Sequence, residues 1–256
     1  MSVRSLEDWI AEKEHRAGLV ALPAEECVYP FNAVEGRLAR LIGSGVVSYD
    51  EYRDVRAGHL MANRNLRLFE MAPRVFGERW GQQHLLDLGG FERPSRALDA
   101  TFAGQYDLWC GGNRIEVKAA RAVDGERDGP LPARALSSTS LKPFWLNFQQ
   151  IKLGMCDAFV FIGVWTDQVR YWVMSSAEVA ACRHLSTQHR GGIEHQLGIK
   201  NTTLAEFDAF QAPAALVSSL SAADFSAPDW RLRRGADATL EGATPVHAPL
   251  RQLALL

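Results

Sequence analysis

Residues 157–165 read DAFVFIGVW, a continuous apolar run of strand length behind a single acid. An unbroken run, rather than an alternating one, marks a strand buried on both faces at the centre of a sheet. This is the strongest constraint in the chain, because the sequence must then supply a layer for each face. TDQ (166–168) turns the run into VRYWVMS (169–175), which alternates as an antiparallel partner does.

A second strand signal lies upstream. Residues 106–110 and 113–120 flank Gly111-Gly112, the residues a tight hairpin demands. Helical patterns surround both strand pairs. Residues 3–17 carry Leu6, Trp9, Ile10 and Lys13 at helical spacing, and 23–42 hold one or two further helices. Ser48 with Glu51 fits a capping box, so a helix starts there and runs to near Pro73 with Arg53, Arg56, Arg64 and Arg67 exposed. A helix over about 74–88 stops at Gly89-Gly90, and residues 91–104 are loop plus a short strand. The stretch 121–142 is a long polar loop. PFWLNFQQIKLG (143–154) has Pro at its start and Gly at its end and reads as a helix. Ser175-Ser176 caps another helix, AEVAACRHL. The expected fold is therefore α/β, a mixed central β-sheet flanked by helices with an N-terminal helical section. It divides into a helical section at 1–72, a core at 73–225 and a tail at 226–256.

Composition narrows function less than it narrows fold. A chain of 256 residues with 47% hydrophobic and 23% charged residues builds a sizeable core. No apolar run reaches membrane-helix length, and the acids near the N-terminus do not suit a signal peptide, so a cytoplasmic protein with no membrane partner is expected. A net charge of −2 excludes any argument for nucleic-acid binding from bulk charge. The 23 Arg against 5 Lys suit bidentate contacts to phosphate and guanine, although a GC-rich genome produces the same skew. Four scattered cysteines with no CxxC read as buried thiols. Cys182, His184, His189 and His195 match no common zinc spacing. No GxSxG, P-loop or GxGxxG motif is present.

The hairpin carries the chemistry. With a two-residue turn, Cys110 faces Asn113, Leu108 faces Ile115, and Asp107 faces Glu116. Along the second strand, Ile115, Val117 and Ala119 share one face, while Arg114, Glu116 and Lys118 share the other. Two carboxylates and an ammonium thus converge. Two opposed carboxylates repel unless a cation or a proton lies between them. Mg²⁺ accepts a few carboxylates together with waters and substrate oxygens, and it serves phosphodiester hydrolysis. A solvent-facing ladder neutralised by Lys118 and Arg114 accounts for the same three residues, and a three-residue turn would break the shared face.

Asp107, eight residues, then Glu116-Val117-Lys118 resembles the motif of the PD-(D/E)XK nuclease superfamily, with Tyr106 in place of the proline. The order of helix, hairpin, helix and buried strand over about 80–175 is similar to that family's core. The resemblance implies a restriction-endonuclease-like core and is closest to a type II restriction endonuclease. It implies a Mg²⁺-dependent enzyme that hydrolyses double-stranded DNA at a specific sequence as a homodimer. Asp107 and Glu116 would hold the metal, and Lys118 would assist the attacking water. A cognate DNA methyltransferase encoded nearby would accompany such an enzyme. Glu78 on the FGERW helix, with Glu70 as fallback, is the candidate upstream acid. Gln149, Gln150 and Lys152 are candidates for DNA contact, and Gln188, His189 and Arg190 form a candidate recognition loop. The alternatives are another nuclease on the same fold (an exonuclease, resolvase or repair enzyme) or a non-catalytic DNA-binding module.

Overall fold

Two sheets stack at the centre of the computed structural model, which describes residues 6–19, 33–187 and 194–226. Three helices lead: α1 (Leu6–Arg16), α2 (Ala33–Gly43) and α3 (Tyr49–Ala62). They pack around Ile10, Leu38, Leu41 and Val47, and Arg37 pairs with the buried Glu14. The Ser48 hydroxyl accepts the Glu51 N–H, so α3 begins where the capping pattern places it. It ends at Ala62, eleven residues before Pro73. The cause is tertiary: Asn63 accepts the Thr166 hydroxyl, and Asn65 donates its backbone and side-chain N–H groups to Thr166 and Trp165 carbonyls. Those contacts fasten the helical section to the sheet and replace the next helical turn by a 3₁₀ turn at Leu66–Phe69.

The expected helix at 74–88 is present but not uniform. Val75–Gly81 winds as a π-helix and α4 (Gln82–Leu88) as an α-helix, with Gly89 at φ 87° ending it. Strands β1 (Leu108–Cys110) and β2 (Asn113–Arg121) follow. Residues 91–104 contribute a single bridge, Glu92 with Trp109. The long polar stretch holds β3 (Val123–Asp124) and the short helix α5 (Leu131–Arg134).

The helix expected at 143–154 is instead strand β4 (Phe144–Ile151). Phe144, Leu146 and Phe148 alternate with period two, and that pattern outweighs the Pro and Gly at the ends of the segment. Beyond it come β5 (Ala158–Val164), β6 (Val169–Ser175), α6 (Ser176–Ala180), β7 (Leu185–Thr187), β8 (His195–Lys200), β9 (Gln211–Ala212) and α7 (Ala214–Val217). Ser175 and Glu178 form a reciprocal capping box for α6, which is shorter than the expected helix.

The first sheet has the order β1-β2-β5-β6-β9, with β2 and β5 parallel and the other pairs antiparallel. The second, β3-β4-β8-β7, is antiparallel. The chain leaves the first sheet for the second at Ala122. Every residue of β5 is buried, as the unbroken apolar run requires. One face of the mixed sheet packs Ile115, Val117, Val160 and Ile162 against Phe69, Phe76, Leu85 and Val217 of the helical layer. The other packs Phe159, Phe161 and Trp172 against Leu146, Phe148 and Leu197 of the second sheet. The mixed sheet is therefore flanked by helices on one face, while a sheet supplies the second layer where a helix was expected. Gly163 makes the approach possible: a Cβ there would sit 2.7 Å from Trp172 and 2.9 Å from Leu146. No helix among the described residues is long and apolar enough to cross a membrane.

Candidate active site

The turn fixes the register. Gly111 and Gly112 have φ of 55° and 97°, as a two-residue primed turn requires. Cys110 pairs with Asn113, Trp109 with Arg114 and Leu108 with Ile115, as the two-residue reading expects. A Cβ on Gly111 would lie 2.5 Å from the Ser221 carbonyl, so the turn is also wedged against the 218–221 segment.

Asp107 lies one residue past the ladder. Its N–H donates to the Ile115 carbonyl at 3.1 Å, and its Oδ2 accepts the Val117 N–H at 2.9 Å. The acid side chain thus continues the ladder where β1 stops, satisfying the Val117 N–H in place of a strand carbonyl. The carboxylates of Asp107 and Glu116 lie within hydrogen-bonding reach of each other. Lys118 Nζ is 2.7 Å from Glu116 Oε1, and these two side chains are only 15% and 14% exposed. Glu116 and Lys118 alternate with Ile115 and Val117 and so occupy the inter-sheet face, on which Ala120 already belongs to the core.

Burial dominates the electrostatics. It pushes Glu116 up to about 7 from an ordinary 4.5, the neighbouring Asp107 pushes the same way, and Lys118 opposes both. Burial also raises Asp107, against the Val117 N–H and Lys118. One lysine does not neutralise two carboxylates, so the site holds a proton or attracts another cation.

Arg114 and Asp157 sit close by and are matched. Asp157 accepts the Arg114 backbone N–H at 2.8 Å and the guanidinium at 3.1 and 2.6 Å. Of the two basic residues expected to neutralise the acids, Arg114 is therefore committed to Asp157.

The other candidate residues fall elsewhere. Glu78 is exposed and bonded to Arg74 at 2.8 Å; only its charge reaches Asp107. Glu70 lines a shallow apolar groove with Phe69, Met71, Pro73, Leu131 and Pro132. Gln149 and Gln150 are exposed at a bulge of β4, with Gln150 at φ 57°, rather than on a helix. Lys152 lies just beyond that strand, 3.8 Å from Glu194. Gln188, His189 and Arg190 lie outside the described residues, as does Cys27. His184 is bonded to Glu206, and no group of three or more His, Cys, Asp or Glu gathers among the described residues.

One contact had no counterpart in the sequence reading. Gln82 Nε2 donates to Asp107 Oδ1 at 2.8 Å. A signal existed in Gly81, where an added Cβ would sit 3.3 Å from Ala119, so its lack of a side chain lets the helix come onto β2. The π-turn before it rotates the helix face out of the regular period, so a helical wheel misplaces Gln82.

Two hard oxygen donors with spare lone pairs and raised proton affinity suit Mg²⁺, which completes its shell with water and substrate oxygens. Neither a scan of protein-family models nor a search of curated proteins finds a match to the sequence.

Proposed function

We propose that this chain is a Mg²⁺-dependent endonuclease that hydrolyses phosphodiester bonds in double-stranded DNA, with a PD-(D/E)XK-type core. Within that class the reading is a sequence-specific homodimeric enzyme of the type II restriction kind. The observation that carries it is the excess of acid at one place: Asp107 and Glu116 share a patch on which, among the described residues, Lys118 is the one basic side chain. Supporting it, the strand that bears Glu116 and Lys118 pairs in parallel with the buried central strand β5, after a crossover. That crossover carries β3, α5 and β4 where the family resemblance implied a helix.

Asp107 and Glu116 would hold the cation, which supplies charge neutralisation at the phosphate and acidifies a bound water. The chain's own residues do the remainder. Val117 and Gln82 fix the Asp107 carboxylate. Lys118 holds Glu116 and offers its remaining protons to a phosphate oxygen or an attacking water. The buried setting strengthens each of these interactions relative to water.

The test is incubation of long linear double-stranded DNA with the purified protein, in Mg²⁺ and in EDTA. Discrete fragments in Mg²⁺ alone support the restriction reading. A smear points to an exonuclease on the same site. Tight DNA binding with no strand breaks in either Mg²⁺ or Mn²⁺ contradicts the enzyme.

A further inference from the structure

Gln82 is the first residue of α4 and belongs to no charge pattern. Its importance lies in what it completes. The Asp107 carboxylate is held on both oxygens, Oδ1 by the Gln82 amide at 2.8 Å and Oδ2 by the Val117 N–H at 2.9 Å, with the Glu116 carboxyl also within hydrogen-bonding reach. One donor comes from the helical layer and the other from the sheet edge, so together they fix both the position and the tilt of the carboxylate plane. Each oxygen retains acceptor capacity for a cation. The helix is itself seated closely on β2, because a Cβ added at Gly81 would sit 3.3 Å from Ala119 and 3.7 Å from Val117. The adjacent Gln83 is engaged differently, donating to Asp87 and accepting from Arg93 on the exposed side. An amide in this place supports the ionised carboxylate without adding charge, whereas an acid would repel it.

Resting on the nuclease reading, we propose that Gln82 is a positioning residue: from the helix it orients the Asp107 carboxylate for the divalent cation. It acts through Asp107 rather than on DNA. Partners that orient metal ligands in this way carry roughly 10–100-fold of metal affinity or activity.

Gln82→Met tests this, because methionine keeps the length and packing of glutamine and removes the donor. Mn²⁺ binding is measured by calorimetry on the full chain, alongside kcat and KM for DNA cleavage. The variant is expected to lose roughly 10–100-fold in Mn²⁺ affinity and in kcat, while KM for DNA stays within about threefold. In an Asp107→Ala background, adding Gln82→Met is expected to change Mn²⁺ affinity no further, which a packing role would not predict. A Gln82→Met protein that binds Mn²⁺ and cleaves like the wild type overturns the positioning role and leaves the nuclease reading standing. A wild-type protein that neither binds Mn²⁺ nor cleaves DNA overturns both.

Discussion

Strand β2 carries two charged clusters two residues apart, and they are built to opposite rules. At Arg114 one guanidinium meets one carboxylate, and Asp157 accepts both its side chain and its backbone N–H. At Glu116 two carboxylates meet one ammonium, and burial raises the proton affinity of both acids. The first cluster is complete and about one-third exposed. The second is more buried and short of positive charge. A structural ion pair has no reason to leave such a deficit, because an uncompensated buried charge destabilises the fold. The cation site proposed above would require it.

The comparison breaks most directly at Glu116. Glu116→Gln is expected to lower DNA cleavage by at least about 10²-fold. The same variant is expected to melt at a higher temperature than the wild type in EDTA at pH 8, because it removes the repulsion. A lower melting temperature there would show that Glu116 serves the fold.

The pH dependence of stability sharpens the same point. Glu116 titrates near 4.5 when unfolded and at about 7 when folded, so the folded protein binds more protons between those values. Stability of the metal-free protein should therefore fall as pH rises from about 4.5 to about 7, by roughly 3 kcal/mol, and then level off. Denaturant titrations in EDTA measure this, and the component due to Glu116 should vanish in Glu116→Gln. Added Mg²⁺ should restore stability most above pH 7, where no proton competes.

Asp157→Ala attacks the complete cluster instead. It is expected to cost about 1–2 kcal/mol of stability, allowing for partial solvent screening. Cleavage per folded molecule should remain within about threefold of wild type. A loss as large as that of Glu116→Gln would place Asp157 in the site and erase the contrast.

The two regions also differ in how far the sequence discloses them. The hairpin is local: two glycines set the turn, the turn sets the register, and period two puts Glu116 and Lys118 on one face. All of that is legible in the chain and matches the ladder from Leu108 to Ile115. The unbroken run at 157–165 likewise foretells a strand buried along its whole length. The second sheet is not local. Pro143 and Gly154 punctuate β4 as though it were a helix, and its period-two alternation wins because Leu146 and Phe148 pack against Phe161 and Trp172 of the first sheet. Asn63 and Asn65 end α3 early through contacts about 100 residues away. Gln82 meets Asp107 across 25 residues and a π-turn, which no period reveals. Arg114, a candidate partner for the acids in the sequence, is drawn off by Asp157 from a different strand connection.

Lys118 is the residue on which the two descriptions of this strand part most sharply. In a structural ladder it neutralises Glu116; in an active site it also acts on the substrate. The decisive measurement is the Mg²⁺-dependent cleavage rate of double-stranded DNA by wild type and Lys118→Ala at matched folded concentration. The account predicts clear cleavage by wild type and a loss of about 10²–10⁴-fold in the variant. A variant that cuts as fast as the wild type, or a wild type that never cuts, contradicts it.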